Sequence, residues 1–115
     1  MTTFAGPPLS SVEGVGALTL GGFLGEVAGR FGPNEALVSD ATRWTYADLD
    51  REAGRIAAGL VAAGVAPGDA VGILMGNRPE AVAAIFGAGR AGAVAVLLST
   101  FAPRPELAYM LDRAE

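Results

Sequence analysis

Ala70-Val-Gly-Ile-Leu-Met75, Asn77-Arg-Pro-Glu80, a helical pattern through Val82, Ile85 and Phe86, and then Ala93-Val-Ala-Val-Leu-Leu98 form the stretch that decides the fold. The first and last pieces are short and almost wholly apolar. Such runs suit strands covered on both faces, and strands of that kind usually belong to parallel sheets. Between them, Pro79 sits at or near a first helical position, where its fixed φ and missing N–H cost nothing. Asn77 is the expected cap, Val82, Ile85 and Phe86 the expected inner face, and Gly92 the expected C-cap. Strand, helix and strand in this order read as a right-handed βαβ unit.

Upstream, Val65-Ala-Pro-Gly-Asp69 is turn chemistry, and before it lies a longer helical pattern. Thr45 caps that helix, with Asp48 three positions later in a capping-box arrangement. Leu49, Ala53, Ile56, Ala57, Leu60 and Val61 supply its apolar stripe, and Gly64 closes it. Gly54 and Gly59 weaken a helix by ~1 kcal/mol each relative to Ala unless close packing needs them. Glu35-Ala-Leu-Val-Ser39 and Arg43-Trp-Thr-Tyr46, joined through Asp40-Ala-Thr42, predict a hairpin. On that reading Trp44 and Tyr46 share a strand face. Leu20, Phe23, Leu24, Val27 and Phe31 recur at helical spacing, with Thr19 as cap and Gly32-Pro33 as stop.

Residues 1–17 read as a flexible leader and 18–115 as one folded portion. The leader has no positively charged start and reads as no export signal, so a cytoplasmic location is expected. Downstream, Pro105 opens a last helix bearing Leu107, Met110 and Leu111, with no further strand for it to lead into. The fold class is therefore α/β: a partial parallel sheet with flanking helices and a β-hairpin. Its uncovered sheet predicts exposed apolar surface and marginal stability in isolation.

Composition narrows the chemistry sharply. The chain has 115 residues, 51% hydrophobic and 17% charged, with a net charge of −4. That suits a single cored domain rather than disorder, and it opposes nucleic-acid binding. There is no Cys and no His, and all eight basic residues are Arg. Disulfides, thiolate or imidazole chemistry, Schiff bases and phosphate-gripping lysines are thereby excluded.

Several patterns imitate sites. Gly87-Ala-Gly89-Arg-Ala-Gly92 matches the dinucleotide fingerprint, but it follows a helical pattern and precedes a strand, the reverse of what pyrophosphate binding requires. Close helix packing is the better reading. Ala81 to Ala102 is long enough to span a bilayer, yet Arg90 near its middle would cost ~3 kcal/mol on insertion. No membrane span is expected. Asp48, Asp50 and Glu52 beside Arg51 and Arg55 could pair as carboxylates, but first-turn acids favour the helix dipole and Glu52 can pair with Arg55. Asn77 and Arg78 fall just past a strand end, where α/β proteins place ligands. None of these residues is assigned a catalytic, cofactor-binding or metal-binding role.

The ordered motifs carry a resemblance. Arg43-Trp-Thr-Tyr-Ala-Asp-Leu-Asp50, Gly64-Val-Ala-Pro-Gly-Asp69, Ala70-Val-Gly-Ile-Leu-Met75, Asn77-Arg-Pro-Glu80 and Arg90-Ala-Gly-Ala-Val94 resemble, in order and spacing, the opening segment of the adenylate-forming enzymes. That superfamily holds acyl-CoA synthetases, luciferases and peptide-synthetase adenylation domains. Ser99-Thr-Phe101 and Glu106-Leu-Ala-Tyr-Met-Leu111 are most similar to fatty or carboxylic acyl-CoA ligases. Leu97 and Gly76 depart from the usual pattern, which favours Pro at the first and Pro or Ser at the second. The resemblance implies the first part of the family's large N-terminal domain. It also implies a full-length AMP-forming ligase that uses ATP, Mg and coenzyme A on a carboxylic acid. The family's phosphate loop, magnesium glutamate, ribose aspartate and catalytic lysine match no position here, so this segment is expected to bind none of those cofactors and to be inactive alone. Two other readings stay open: an interaction module that dimerises or complements a second fragment through its open sheet edge, and a small Rossmann-like nucleotide binder.

Overall fold

A computed structural model describes residues 19–114; the expected leader at 1–17 lies outside them. The elements run α1 (Leu20–Phe31), β1 (Glu35–Val38), β2 (Arg43–Thr45), α2 (Tyr46–Ala62), β3 (Ala70–Ile73), α3 (Pro79–Arg90), β4 (Val94–Leu97) and α4 (Arg104–Arg113). β3 and β4 pair in parallel, Ala70 opposite Val94 through Ile73 opposite Leu97, with α3 as the crossover. β1 and β2 form an antiparallel hairpin with a register shift between Glu35 and Leu37. The expected βαβ unit and hairpin are both present, but the hairpin is a separate two-stranded sheet, not an extension of the parallel pair.

Local chemistry explains the boundaries. The Thr19 hydroxyl accepts from the Gly22 N–H at 3.1 Å and starts α1. Thr45 ends β2 and caps α2 at once: its hydroxyl accepts from the Asp48 N–H at 3.1 Å, while the Asp48 carboxylate accepts from the Thr45 N–H at 2.9 Å. That reciprocal pairing satisfies two otherwise orphaned donors. It also places Tyr46 at the first helical position, so Tyr46 does not share a strand face with Trp44 as the sequence pattern suggested. Trp44 alone packs from β2 against the core. The cap of α3 is Arg78, without a side-chain bond, rather than Asn77. Pro79 supplies the start instead. Ala91 ends α3, and Gly92, one position later, takes φ +76°. A left-handed residue just past the helix end is a position that glycine fills without steric cost.

Three helices form the centre of the packing. α3 lies against α2, α1 and β4, and α2 also touches both hairpin strands. The cluster at their meeting is Leu24, Leu49, Ala53 and Ala83, with Trp44, Ile56, Val82 and Phe86 half-buried around it. On α3 the buried side chains are Ala83, Ala84 and Ala88, together with Gly87 and Pro79; Val82, Ile85 and Phe86 are only partly covered. The expected inner face is met in part: Val82 and Phe86 pack against the core cluster, but the fully buried positions belong to their small neighbours, because α2 approaches too closely for large ones. A Cβ on Gly87 would lie 2.7 Å from Ile56 Cγ2 and 3.1 Å from the Ala53 carbonyl oxygen.

Away from this centre, apolar surface stays uncovered, as the sequence implied. No large side chain among the described residues is fully buried. β4 is not enclosed on both faces: Leu97 is 64% exposed, and Val94 is exposed as well. α4 has no buried residue, although Leu111 reaches toward Gly72 of β3. Phe23 and Phe31 of α1, Val61 near the end of α2, and Phe101 at 96% exposure complete the picture.

The α2–α3 approach generates a paired test. Gly87→Ala, expected to force Ile56 aside, should destabilise the fold by about 1–3 kcal/mol, in the range of core overpacking. Gly59 should behave oppositely, since it is exposed on α2 and a Cβ there would meet no atom within 4 Å. Gly59→Ala should stabilise by up to ~1 kcal/mol through helix propensity alone. Denaturant or thermal unfolding of the two variants checks both signs.

Candidate functional site

The carboxylates that the sequence grouped are each engaged separately. Asp48 closes the capping box and also pairs with Arg51. Its carboxyl is held below the ordinary aspartate range, first by the Thr45 backbone N–H, then by the Thr45 hydroxyl and the Arg51 guanidinium. Glu52 pairs with Arg55 at 3.3 Å along the same helix, as expected. Asp50 turns inward to Arg90. The three acids therefore form no paired-carboxylate centre, and no His/Cys/Asp/Glu group suited to a metal occurs among the described residues.

Arg90 is the polar residue whose structural role the sequence reading missed. Its side chain is 22% exposed and reaches back from the end of α3 across both neighbouring helices. One terminal nitrogen donates to the Asp50 backbone oxygen at 2.8 Å, and the other pairs with the Asp50 carboxylate. Nε points at the Gly21 carbonyl at 3.5 Å. A single planar guanidinium thus ties α1, α2 and α3, using the fork geometry that distinguishes Arg from Lys. Glycines make room for it: a Cβ on Gly21 would fall 2.6 Å from Arg90 Cγ, and one on Gly54 3.3 Å from Nη1. The available signal was an isolated charge within an apolar run, together with helix glycines that propensity alone did not explain.

The glycine fingerprint is structural too. Gly87 and Gly89 lie inside α3, facing Ile56 and Leu20 respectively, and Gly92 passes beside Pro67. A strand, β4, and not a helix directly follows Gly92, so the glycines frame no pyrophosphate cradle.

The position best suited to a ligand is the groove at the C-terminal ends of β3 and β4. A cavity of ≈ 310 Å³ lies there, walled by Ile73, Met75, Val82, Ile85 and Leu97, with Asn77 and Arg78 also on its lining. Asn77, Arg78 and Val82 are shared with a second hollow of ≈ 180 Å³ that opens against Leu37 and Ser39 of the hairpin. The lining offers apolar walls, one amide and one guanidinium, but no acid or base. It can hold a group; it has nothing with which to move a proton. At the opposite end of the strands, a hollow lined by Gly64, Gly68 and Asp69 is mainly turn backbone. The Asp69 carboxylate there already accepts from the Ala66 N–H at 2.8 Å.

Fold and motifs together meet a known class. Residues 24–115 match the family model described as AMP-binding enzyme. The chain belongs to that family. The acyl-CoA ligase sidI of Aspergillus fumigatus is 40% identical over 100 residues, which is 85% of this chain and 17% of that protein. Triostin synthetase I of Streptomyces triostinicus is 37% identical over 91 residues, 79% of this chain and 17% of that protein. The crystal structure of the N-terminal domain of FACL13 from Mycobacterium tuberculosis superposes with a TM-score of 0.81 at 35% identity, covering 84% of this chain and 25% of that one. The α/β fold is that of the N-terminal domain of adenylate-forming enzymes, and the chain spans less than a fifth of the length of these two curated relatives.

Two expected outcomes follow from the polar contacts. Arg90→Met removes charge-assisted hydrogen bonds to both Asp50 groups and should cost ~1.5–3 kcal/mol. Arg90→Lys should recover only part of that loss, and a double-mutant cycle with Asp50→Asn should show coupling in denaturant unfolding. For Asp48 the sign is fixed by its lowered folded-state pKa. Its contribution is fully present above the unfolded-state pKa and is lost as pH falls through the folded-state value. Asp48→Asn should therefore flatten the acid limb of stability against pH, measured from below pH ~3 to neutrality.

Proposed function

We propose that this chain is the N-terminal portion of an ATP-dependent, AMP-forming ligase that joins a carboxylic acid to coenzyme A, and that the 115-residue polypeptide does not catalyse adenylation by itself. The observation carrying this reading is a family fold whose one group of acidic side chains is already committed. Asp48, Asp50 and Glu52 are bound to Thr45, Arg90 and Arg55, and the groove at the strand ends has no acid or base. The sequence has no Lys or His, so neither a phosphate-gripping lysine nor an imidazole base is supplied by this segment.

ATP, Mg and coenzyme A belong to the proposed full-length activity rather than to this segment. The described carboxylates do not fit a magnesium ion, since those the sequence grouped are held by Arg or by a cap and no metal-suited cluster forms among the rest. The segment's contribution is support: α3 and the β3–β4 pair set the floor on which a larger sheet and its pockets would rest. A cytoplasmic setting suits this chemistry, and no described helix is long and apolar enough to cross a membrane. Purified polypeptide should give no ATP–pyrophosphate exchange with any carboxylic acid supplied. Exchange above a no-enzyme control would overturn the inactivity proposal.

A second reading, an interaction module, is favoured by the exposed apolar side chains Phe23, Leu97 and Phe101. Size-exclusion chromatography with light scattering separates the two. A defined dimer supports the module, whereas monomer or heterogeneous aggregate supports the unpartnered segment.

A further inference from the structure

We draw no further inference here: the strongest candidate, the apolar groove at the C-terminal ends of β3 and β4 with Asn77 and Arg78 on its lining, is an unpartnered face beside a helix N-terminus, and nothing in the structure shows what covers it.

Discussion

The close approach of α2 and α3 is the constraint from which the rest of this architecture follows. Ala53 and Ala83 are wholly buried between the helices, and Gly87 leaves no room for a methyl group beside Ile56. Small side chains let the helix backbones approach and multiply weak dispersion contacts along the seam. They also fix which way α3 faces. With its small residues turned to α2, its larger ones lie at the margins of the seam: Val82 and Phe86 pack against the cluster of Leu24, Leu49, Ala53 and Ala83, and Val82 and Ile85 line the groove at the strand ends. The Arg90 tie works only because the same seam carries Arg90 to Asp50, and Gly21 lets α1 close over its stem.

A core built this way binds its centre firmly and its margins weakly. Burial stabilises roughly in proportion to the apolar area removed from water. Among the described residues, five of the eight buried hydrophobic ones are alanines (Ala53, Ala83, Ala84, Ala88 and Ala91), each contributing little area. The larger side chains that could add most, such as Leu97, Phe101 and Phe23, stand largely in solvent. This distribution agrees with a segment whose relatives are several times longer, and it locates the deficit on the β4 side and on α1 rather than at the helix seam.

Much of the element order was readable in the sequence, because period, caps and turn residues agree. Thr45 with Asp48, Pro79 at a helix start and Gly92 past a helix end act through local chemistry that a few adjacent residues carry. The failures came where tertiary geometry overrode a local cue. Of the inner face expected from hydrophobicity, Val82 and Phe86 do pack against the core cluster, yet α2 selected the alanines by distance for the fully buried positions. Tyr46 extended a β-like alternation, yet the capping box claimed it for α2. Asn77 had the better cap chemistry, yet the helix begins one residue later. The Arg90–Asp50 pair was invisible for a different reason: forty positions separate the partners, and no periodicity links them. At the candidate site, the sequence located the strand-end position through Asn77 and Arg78, but not the apolar walls that Met75, Ile85 and Leu97 assemble around it.

The two parallel strands are fastened unequally along their length. Where they begin, the Gly68 N–H donates to the Gly92 oxygen at 2.8 Å, the Val94 N–H to the Asp69 oxygen at 2.8 Å, and Pro67 rests on Gly92. Where they finish, the last rung joins the Leu98 N–H to the Ile73 oxygen at 3.0 Å, and the chains then diverge into the segments around Gly76 and Phe101. The ladder therefore fixes the spacing of the strands from Asp69 to Leu98, and the groove lined by Met75, Asn77 and Arg78 lies just past its last rung, where side-chain packing rather than backbone pairing sets its width.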